Sequence, residues 1–201
     1  MARGILDLEK HFAFYGAYHS NRINVGIHVV FVWPILFTAL ILMALASPKP
    51  LMPLPLPAKT LPLQDFMVIN YSFLFAGFYA LFYTALDKRA GSLAAAMCLA
   101  CWIGANAAAQ KMGFSLGWKV AAGGQIFCWT AQFIGHGVFE RRAPALLDNL
   151  VQALLMAPFF VLLEVLHDVF GYEPYPGFYK NVRNKVGAEI AKFRSGKSKK
   201  V

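Results

Sequence analysis

Val29-Val30-Phe31-Val32-Trp33-Pro34-Ile35-Leu36-Phe37-Thr38-Ala39-Leu40-Ile41-Leu42-Met43-Ala44-Leu45-Ala46-Ser47 contains no charged residue. It is as long as a helix needs to be to cross the hydrocarbon core of a bilayer, about 20 residues. Phe66 to Leu86, Ser92 to Ala109 and Val120 to Phe139 are equally free of charge. The whole chain of 201 residues is 58% hydrophobic and 14% charged, where a soluble domain carries about 25% charged residues. Lipid admits only helices or closed barrels, because every backbone polar group must be satisfied within the protein. The apolar runs are continuous and lack the alternation of a barrel strand. The expected fold is therefore an all-α integral membrane protein. It has a bundle of four transmembrane helices, a fifth kinked, re-entrant or spanning helix, and an N-terminal amphipathic helix.

Working outward, Leu6 to Tyr18 mixes Leu6, Phe12, Phe14 and Tyr15 with Asp7, Glu9 and Lys10, the pattern of a helix lying in the membrane interface. Asn21 and Asn24 interrupt it, and Asn24 is a good N-cap for a first span from Val25 to Ala46. Pro48, Pro50, Pro53, Pro55, Pro57 and Pro62 exclude a regular helix from the segment that follows. The second span is expected at 66–86, then a polar turn at Asp87-Lys88-Arg89. The third is expected at 92–109 and the fourth at 118–139, with a glycine-containing loop between them. Glu140-Arg141-Arg142-Ala143-Pro144 closes the fourth. The fifth segment, 148–170, starts at Asp148-Asn149, meets Pro158, and carries Glu164, His167 and Asp168, so it either spans with a kink or dips in and returns.

Basic residues choose between these topologies. If the fifth segment spans, they divide 7 against 12 between the two sides; if it returns, 15 against 4. The second division fits the bias of Lys and Arg toward the cytosol and puts both termini there. It defines a membrane-embedded catalytic domain over 1–180 and a basic tail over 181–201. The tail suits an anionic membrane surface better than nucleic acid. It ends Lys197-Ser198-Lys199-Lys200-Val201, which resembles the dilysine retrieval signal of endoplasmic-reticulum membrane proteins. Met1 to Lys10 has charges of both signs and no apolar core, so no cleavable signal peptide is expected. Cys98, Cys101 and Cys128 fall within apolar segments, where free cysteine is a small packing residue.

Three histidines carry the chemistry. His19 and His28 flank the start of the first span and His136 lies at the end of the fourth, so span counting brings all three to one side. Nine residues apart on one helix, His19 and His28 would be separated by about 900° of rotation and face opposite ways. The break at Asn21–Asn24 lets the chain turn between them. Asn24 and His28 are four apart, as are His136 and Glu140, so each pair shares a helix face. Neutral imidazoles suit Fe(II), Zn or Cu, and three protein ligands leave positions open for substrate and oxygen or water. Glu140 and Asn24 are expected to orient ligands from behind. A lone histidine would read as an interfacial or hydrogen-bonded side chain, and His11 and His167 are read that way.

Two blocks, Phe14-Tyr15-Gly16-Ala17-Tyr18-His19 with Asn24, His28 and Trp33-Pro34, and Gln132 to Leu150 around Gly135-His136-Gly137, resemble the fungal endoplasmic-reticulum 2-hydroxy fatty acid dioxygenase family. Ala157-Pro158-Phe159 with Leu163-Glu164 adds to the likeness, which covers nearly the whole chain. The resemblance implies Fe(II)-dependent α-oxidation of long-chain 2-hydroxy fatty acids with O2, a step of phytosphingosine breakdown that shortens the acid by one carbon. The family motif carries histidine at His19, His28 and His136, and does not require it at His11 or His167. A 2-hydroxy carboxylate offers two oxygens to iron. Tyr18 and Arg141 are the expected substrate contacts, with Arg141 or Arg142 attracting the carboxylate; the same arginines also read as ordinary cytosolic flanks.

Competing readings are a di-iron desaturase, a haem carrier with His28 and His136 as axial ligands, and a non-enzymatic membrane protein. The desaturase needs clustered histidine boxes, and this chain has five histidines and no such box. The charge division makes a topological prediction. Tags at the two ends should be equally accessible in cells whose plasma membrane alone is permeabilised, and opposite accessibility would rule out the returning fifth segment.

Overall fold

The computed structural model describes residues 4–55, 57, 60–144, 150 and 152–198. Asp148-Asn149 and Lys199-Lys200-Val201 lie outside the described residues. The described chain is helical and divides into two compact units, one of residues 1–29 with 132–201 and the other of residues 30–131.

In the first unit a short 3-10 turn, Gly4–Leu6, leads into α1, Leu8–Tyr18. Asp7 caps α1 by accepting a hydrogen bond from the Lys10 amide at 3.1 Å. Leu8, Phe12 and Tyr15 recur at helical spacing and are buried. The ring of Phe12 meets Phe160 at 5.3 Å, Phe178 at 5.6 Å and Tyr179 at 5.7 Å. The apolar face of α1 is thus covered by protein on α5, Ala157–Phe170, and α6, Phe178–Ser198. Aromatic rings supply the contact because they bury more area than any other side chain.

α5 is preceded by a π-helical turn, Gln152–Met156, and Pro158 stands in its first turn. There a missing N–H costs no intrahelical bond, so Pro158 begins the α-helix instead of kinking it. Gly171, at φ 65°, ends it with its amide donating to the His167 carbonyl at 2.8 Å. The stretch expected as a basic tail is helical as far as Ser198. It lies along α1: Lys185 pairs with Glu9 at 2.6 Å, and Asn181 donates to the same carboxylate at 3.2 Å. A Cβ on Gly16 would meet Val186 at 3.0 Å, so the two helices approach closely there.

α2, Arg22–Ala46, runs from the first unit into the second. It begins three residues earlier than expected, because Asn21 takes the capping role: its side-chain oxygen accepts from the Ile23 amide at 2.9 Å. Asn24 is left free for the interior and is fully buried. Pro34 sits within the helix, and Thr38 Oγ1 donates to its carbonyl at 2.7 Å.

In the second unit, a loop containing one 3-10 turn, Gln64–Phe66, precedes α3, Tyr71–Leu86. α3 starts five residues after the expected position, where Asn70 accepts from the Phe73 amide at 3.3 Å. Its 16 residues are short for a bilayer, which asks for about 20. Asn70 also donates to Asn106 at 2.7 Å, and the Trp102 indole donates to the Val68 carbonyl at 2.9 Å, tying the entry of α3 to α4, Lys88–Ile134.

The expected loop between third and fourth spans shrinks to Gly113, at φ 64° and ψ 177°, a conformation open only to glycine. A Cβ on Gly104 would meet Phe37 at 3.3 Å, one on Gly117 would meet Leu45 at 3.0 Å, and one on Gly124 would meet Thr38 at 2.9 Å. The levels climb α2 and then descend it, so α4 doubles back at Gly113. Arg22–Ala46, Lys88–Glu140 and Gln152–Phe170 are the three helical stretches among the described residues long and apolar enough to cross a membrane.

The turn from α3 into α4 is the tightest point. Asp87 accepts from the amides of Arg89 at 3.0 Å and Ala90 at 2.7 Å, and a Cβ on Gly91 would lie 2.0 Å from the Tyr83 carbonyl oxygen. Gly91→Ala is therefore expected to destabilise the fold by about 1–3 kcal/mol, as overpacking does. Gly123→Ala, with nothing within 4 Å of its Cβ position, should leave the melting temperature in detergent unchanged or raised. Equal melting temperatures for the two variants would contradict the close approach.

Candidate metal centre

α1 ends at Tyr18, and His19 follows in the turn before α2. Its ring stacks on Tyr15, one helical turn earlier, with centroids 4.0 Å apart and planes 18° apart. His19 Nδ1 pairs with the Tyr15 carbonyl at 2.8 Å. Nearly two turns into α2, His28 Nδ1 pairs with the Asn24 carbonyl at 2.9 Å. In both rings Nδ1 must carry the proton to donate to a carbonyl, so Nε2 is left with its lone pair.

His136 arrives from the end of α4, which changes there from α-helix to a π-helical turn, Gly135–Glu140. π-turns are rare, and many occur at functional sites because the wider turn redirects side chains. Gly135 lets α4 come close: a Cβ there would lie 2.4 Å from Asn24 Oδ1.

The three rings form a compact triad. Ring centroids are 4.3 Å apart for His19 and His28, 4.9 Å for His19 and His136, and 4.9 Å for His28 and His136. One ligand atom from each lies within 4.8 Å of the others, and all three residues are buried except for the edge of His19. His19 Nε2 and His136 Nδ1 are buried without a hydrogen-bond partner among the described residues. Burial holds the His19 imidazole well below its ordinary range, and the neighbouring His28 lowers it further. Three imidazoles with ligand nitrogens this close, two of them with no hydrogen-bond partner among the described residues, are the kind of donor set that a divalent transition metal takes.

Glu140 fastens this arrangement. Its carboxylate accepts from the Ser20 amide at 3.0 Å, from the Ser20 hydroxyl, from the Asn21 amide at 3.0 Å and from Asn24 Nδ2 at 3.2 Å. The same residue that ends α4 therefore holds the turn that carries His19 and begins the helix that carries His28. Asn24 Nδ2 also reaches the Tyr18 carbonyl at 3.5 Å.

Of the two expected substrate contacts, Tyr18 is buried beneath the Arg142 guanidinium, 3.6 Å from its ring centroid. Arg142 donates to the Ala17 carbonyl at 2.7 Å. Arg141 is exposed, at φ 54°. The arginine that folds over the site is thus Arg142. His11 lies elsewhere, paired with the Gly4 carbonyl at 3.2 Å and with Gln152, and burial lowers its imidazole. His167 stacks on Tyr179 at 3.6 Å.

Sequence reasoning passed over Tyr15 and Ser20. Tyr15 stands four residues before His19, the spacing that aligns side chains on a helix, and that signal was available. Ser20 carried none, since its partner Glu140 is 120 residues away. Burial holds the Tyr15 phenol well above its ordinary range, with the Glu164 and Glu140 carboxylates adding to the effect.

Residues 5–169 match the family described as 2-hydroxy-palmitic acid dioxygenase Mpo1-like. The chain belongs to this family. It is 37% identical over 174 residues to the 2-hydroxy-palmitic acid dioxygenase MPO1 of Saccharomyces cerevisiae, covering 87% of each chain. No solved structure matches it. All three triad histidines, with Asn24 and Glu140, lie inside the part matched to the family.

The Glu140 clamp predicts a measurable loss. Groups that orient metal ligands from behind are worth about 10–100-fold in metal affinity. Glu140→Ala is expected to weaken binding of a divalent metal by that factor in a titration of purified protein, with the helical circular-dichroism signal retained. Unchanged affinity would show that the turn holds its shape without the carboxylate.

Proposed function

We propose that this chain is a membrane-bound dioxygenase that oxidises long-chain 2-hydroxy fatty acids at the α-carbon and shortens them by one carbon, with one Fe(II) held by His19, His28 and His136. The observation that carries the reading is the coincidence of two results. The chain shares 37% identity with a 2-hydroxy-palmitic acid dioxygenase over 87% of its length, and three histidines converge within the 5–169 stretch that matches the family.

The donor set fits the ion. Three neutral nitrogen ligands leave coordination positions open, as non-haem Fe(II) oxygenases require. Bound there, iron supplies the redox chemistry that couples O2 to cleavage of the C1–C2 bond. The chain's own residues prepare the place. The Tyr15 and Asn24 carbonyls fix the tautomers of His19 and His28, so that each presents Nε2 inward. Glu140 holds the 20–24 turn, and with it the separation of those two ligands. Burial holds the His19 imidazole well below its ordinary range. Arg142 places a positive charge on the Tyr18 side of the site, where a substrate carboxylate is attracted before it reaches the triad.

The haem reading is disfavoured by the same geometry. With all three ring centroids within 4.9 Å of one another, no porphyrin plane fits between any two of them.

Apolar helices support a membrane location. We place the protein in the endoplasmic reticulum as a multi-pass protein, with the 1–180 portion as the catalytic domain and both termini cytosolic. The doubling back at Gly113 supports counting each arm of α4 as a crossing.

A graded series of variants tests the site. Anaerobic reconstitution with Fe(II), then addition of O2 and 2-hydroxypalmitate, should yield the fifteen-carbon acid. His19→Ala, His28→Ala and His136→Ala should each abolish both bound iron and product. Asn24→Ala and Glu140→Gln should leave reduced but measurable turnover. His11→Ala and His167→Ala should keep most of their iron. Wild-type turnover in His136→Ala, or full activity after chelation, would show that iron at the triad is not the catalyst.

A further inference from the structure

Tyr15 has two attachments to the triad and one unused group. Its carbonyl receives His19 Nδ1 and its ring stacks on His19. Its hydroxyl is buried with no hydrogen-bond partner among the described residues. A buried donor left unpaired costs stability and calls for an explanation, whether strain, an unseen water or a ligand. Two other orphaned atoms beside it, His19 Nε2 and His136 Nδ1, belong to the triad read above as metal ligands. The phenol, like the Gln132 amide nitrogen, is a buried donor with no acceptor among the described residues, and its ring lies directly on a triad histidine. Its ring also packs against Phe12 at 5.7 Å and Phe160 at 5.2 Å, an apolar surface suited to methylene groups.

We propose that the Tyr15 hydroxyl binds substrate, donating a hydrogen bond to the carboxylate of the fatty acid held at the histidine triad. The proposal rests on the 2-hydroxy fatty acid reading above. A carboxylate is the strongest acceptor that substrate offers, because the bond is charge-assisted. Arg142 does not supply this contact from the same position, since its guanidinium is engaged with the Tyr18 ring and the Ala17 carbonyl.

Tyr15→Phe isolates the hydroxyl, because it keeps both the ring stack and the backbone carbonyl. Three quantities are measured on the full chain in detergent: iron bound per chain, KM and kcat for 2-hydroxypalmitate, and the Kd of palmitate for the protein loaded with redox-inert Zn(II). Palmitate has the carboxylate and lacks the 2-hydroxyl. The expected result is full iron content, an unchanged melting temperature, and palmitate binding weakened about 10–100-fold, the range for one hydrogen bond to a charged group, with KM for 2-hydroxypalmitate rising in step.

Unchanged palmitate affinity at full iron content overturns the proposal, including the case in which only 2-hydroxypalmitate is affected, since the contact would then be to the 2-hydroxyl. Loss of iron in Tyr15→Phe also overturns it, by making the hydroxyl part of the metal support. If that variant does not fold, Tyr15→Trp provides a second ring without a phenol, judged by the same palmitate measurement. A wild-type protein that binds iron but leaves 2-hydroxypalmitate unconverted would instead remove the underlying reading, whatever Tyr15→Phe shows.

Discussion

One carboxylate holds the site together. Glu140 ends the π-helical turn of α4 and gathers the amides of Ser20 and Asn21, the Ser20 hydroxyl and the Asn24 side chain. Without a partner that accepts from all of them, the 20–24 turn would have several donors to satisfy in an interior that offers little water. Hydrogen bonds to an ionised group are among the strongest a protein makes, and four on one residue define a position closely. The positions of His19, His28 and His136 follow from it, because each lies within four residues of a group that Glu140 touches or of Glu140 itself.

Aromatic packing supplies the second constraint. Phe12 is in contact with rings from both α5 and α6, and the Tyr179 hydroxyl reaches the Leu163 carbonyl at 2.9 Å. These contacts seat α1 and thereby Tyr15, on which His19 stacks. The histidine triad thus depends both on polar bonds to the turn after α1 and on ring contacts to α1 itself.

Much of this was legible in the chain. Charge-free runs marked the helices, because lipid permits few alternatives. The three histidines stood out because each lay beside a polar break. The i, i+4 spacing of His136 and Glu140 placed them on one face. What the sequence concealed was mostly non-local. Asn21 and Asn24 are equally good caps by residue type, and only the pull of Glu140 decides that Asn21 caps while Asn24 turns inward. Arg141 and Arg142 are adjacent and alike, and the left-handed backbone at Arg141 selects Arg142 to fold over Tyr18. The helical run after Tyr179 reads in sequence as a basic tail suited to an anionic membrane surface, because its bond to Glu9 spans 172 residues. Gly113 was visible as a glycine in a loop, but its positive φ and the reversal it allows depend on the packing of both arms against α2.

The distribution of the triad along the chain has a consequence for how the protein is made. His19 and His28 emerge early in synthesis, whereas His136 follows more than a hundred residues later, after α3 and both arms of α4. The ring of Phe12 waits longer still, until α5 and α6 are complete. A nascent chain therefore holds two of its imidazoles without the third until His136 is made, and the packing that seats α1 follows only with α5 and α6. The triad is therefore complete only late in synthesis, and its seating on a finished α1 comes later still.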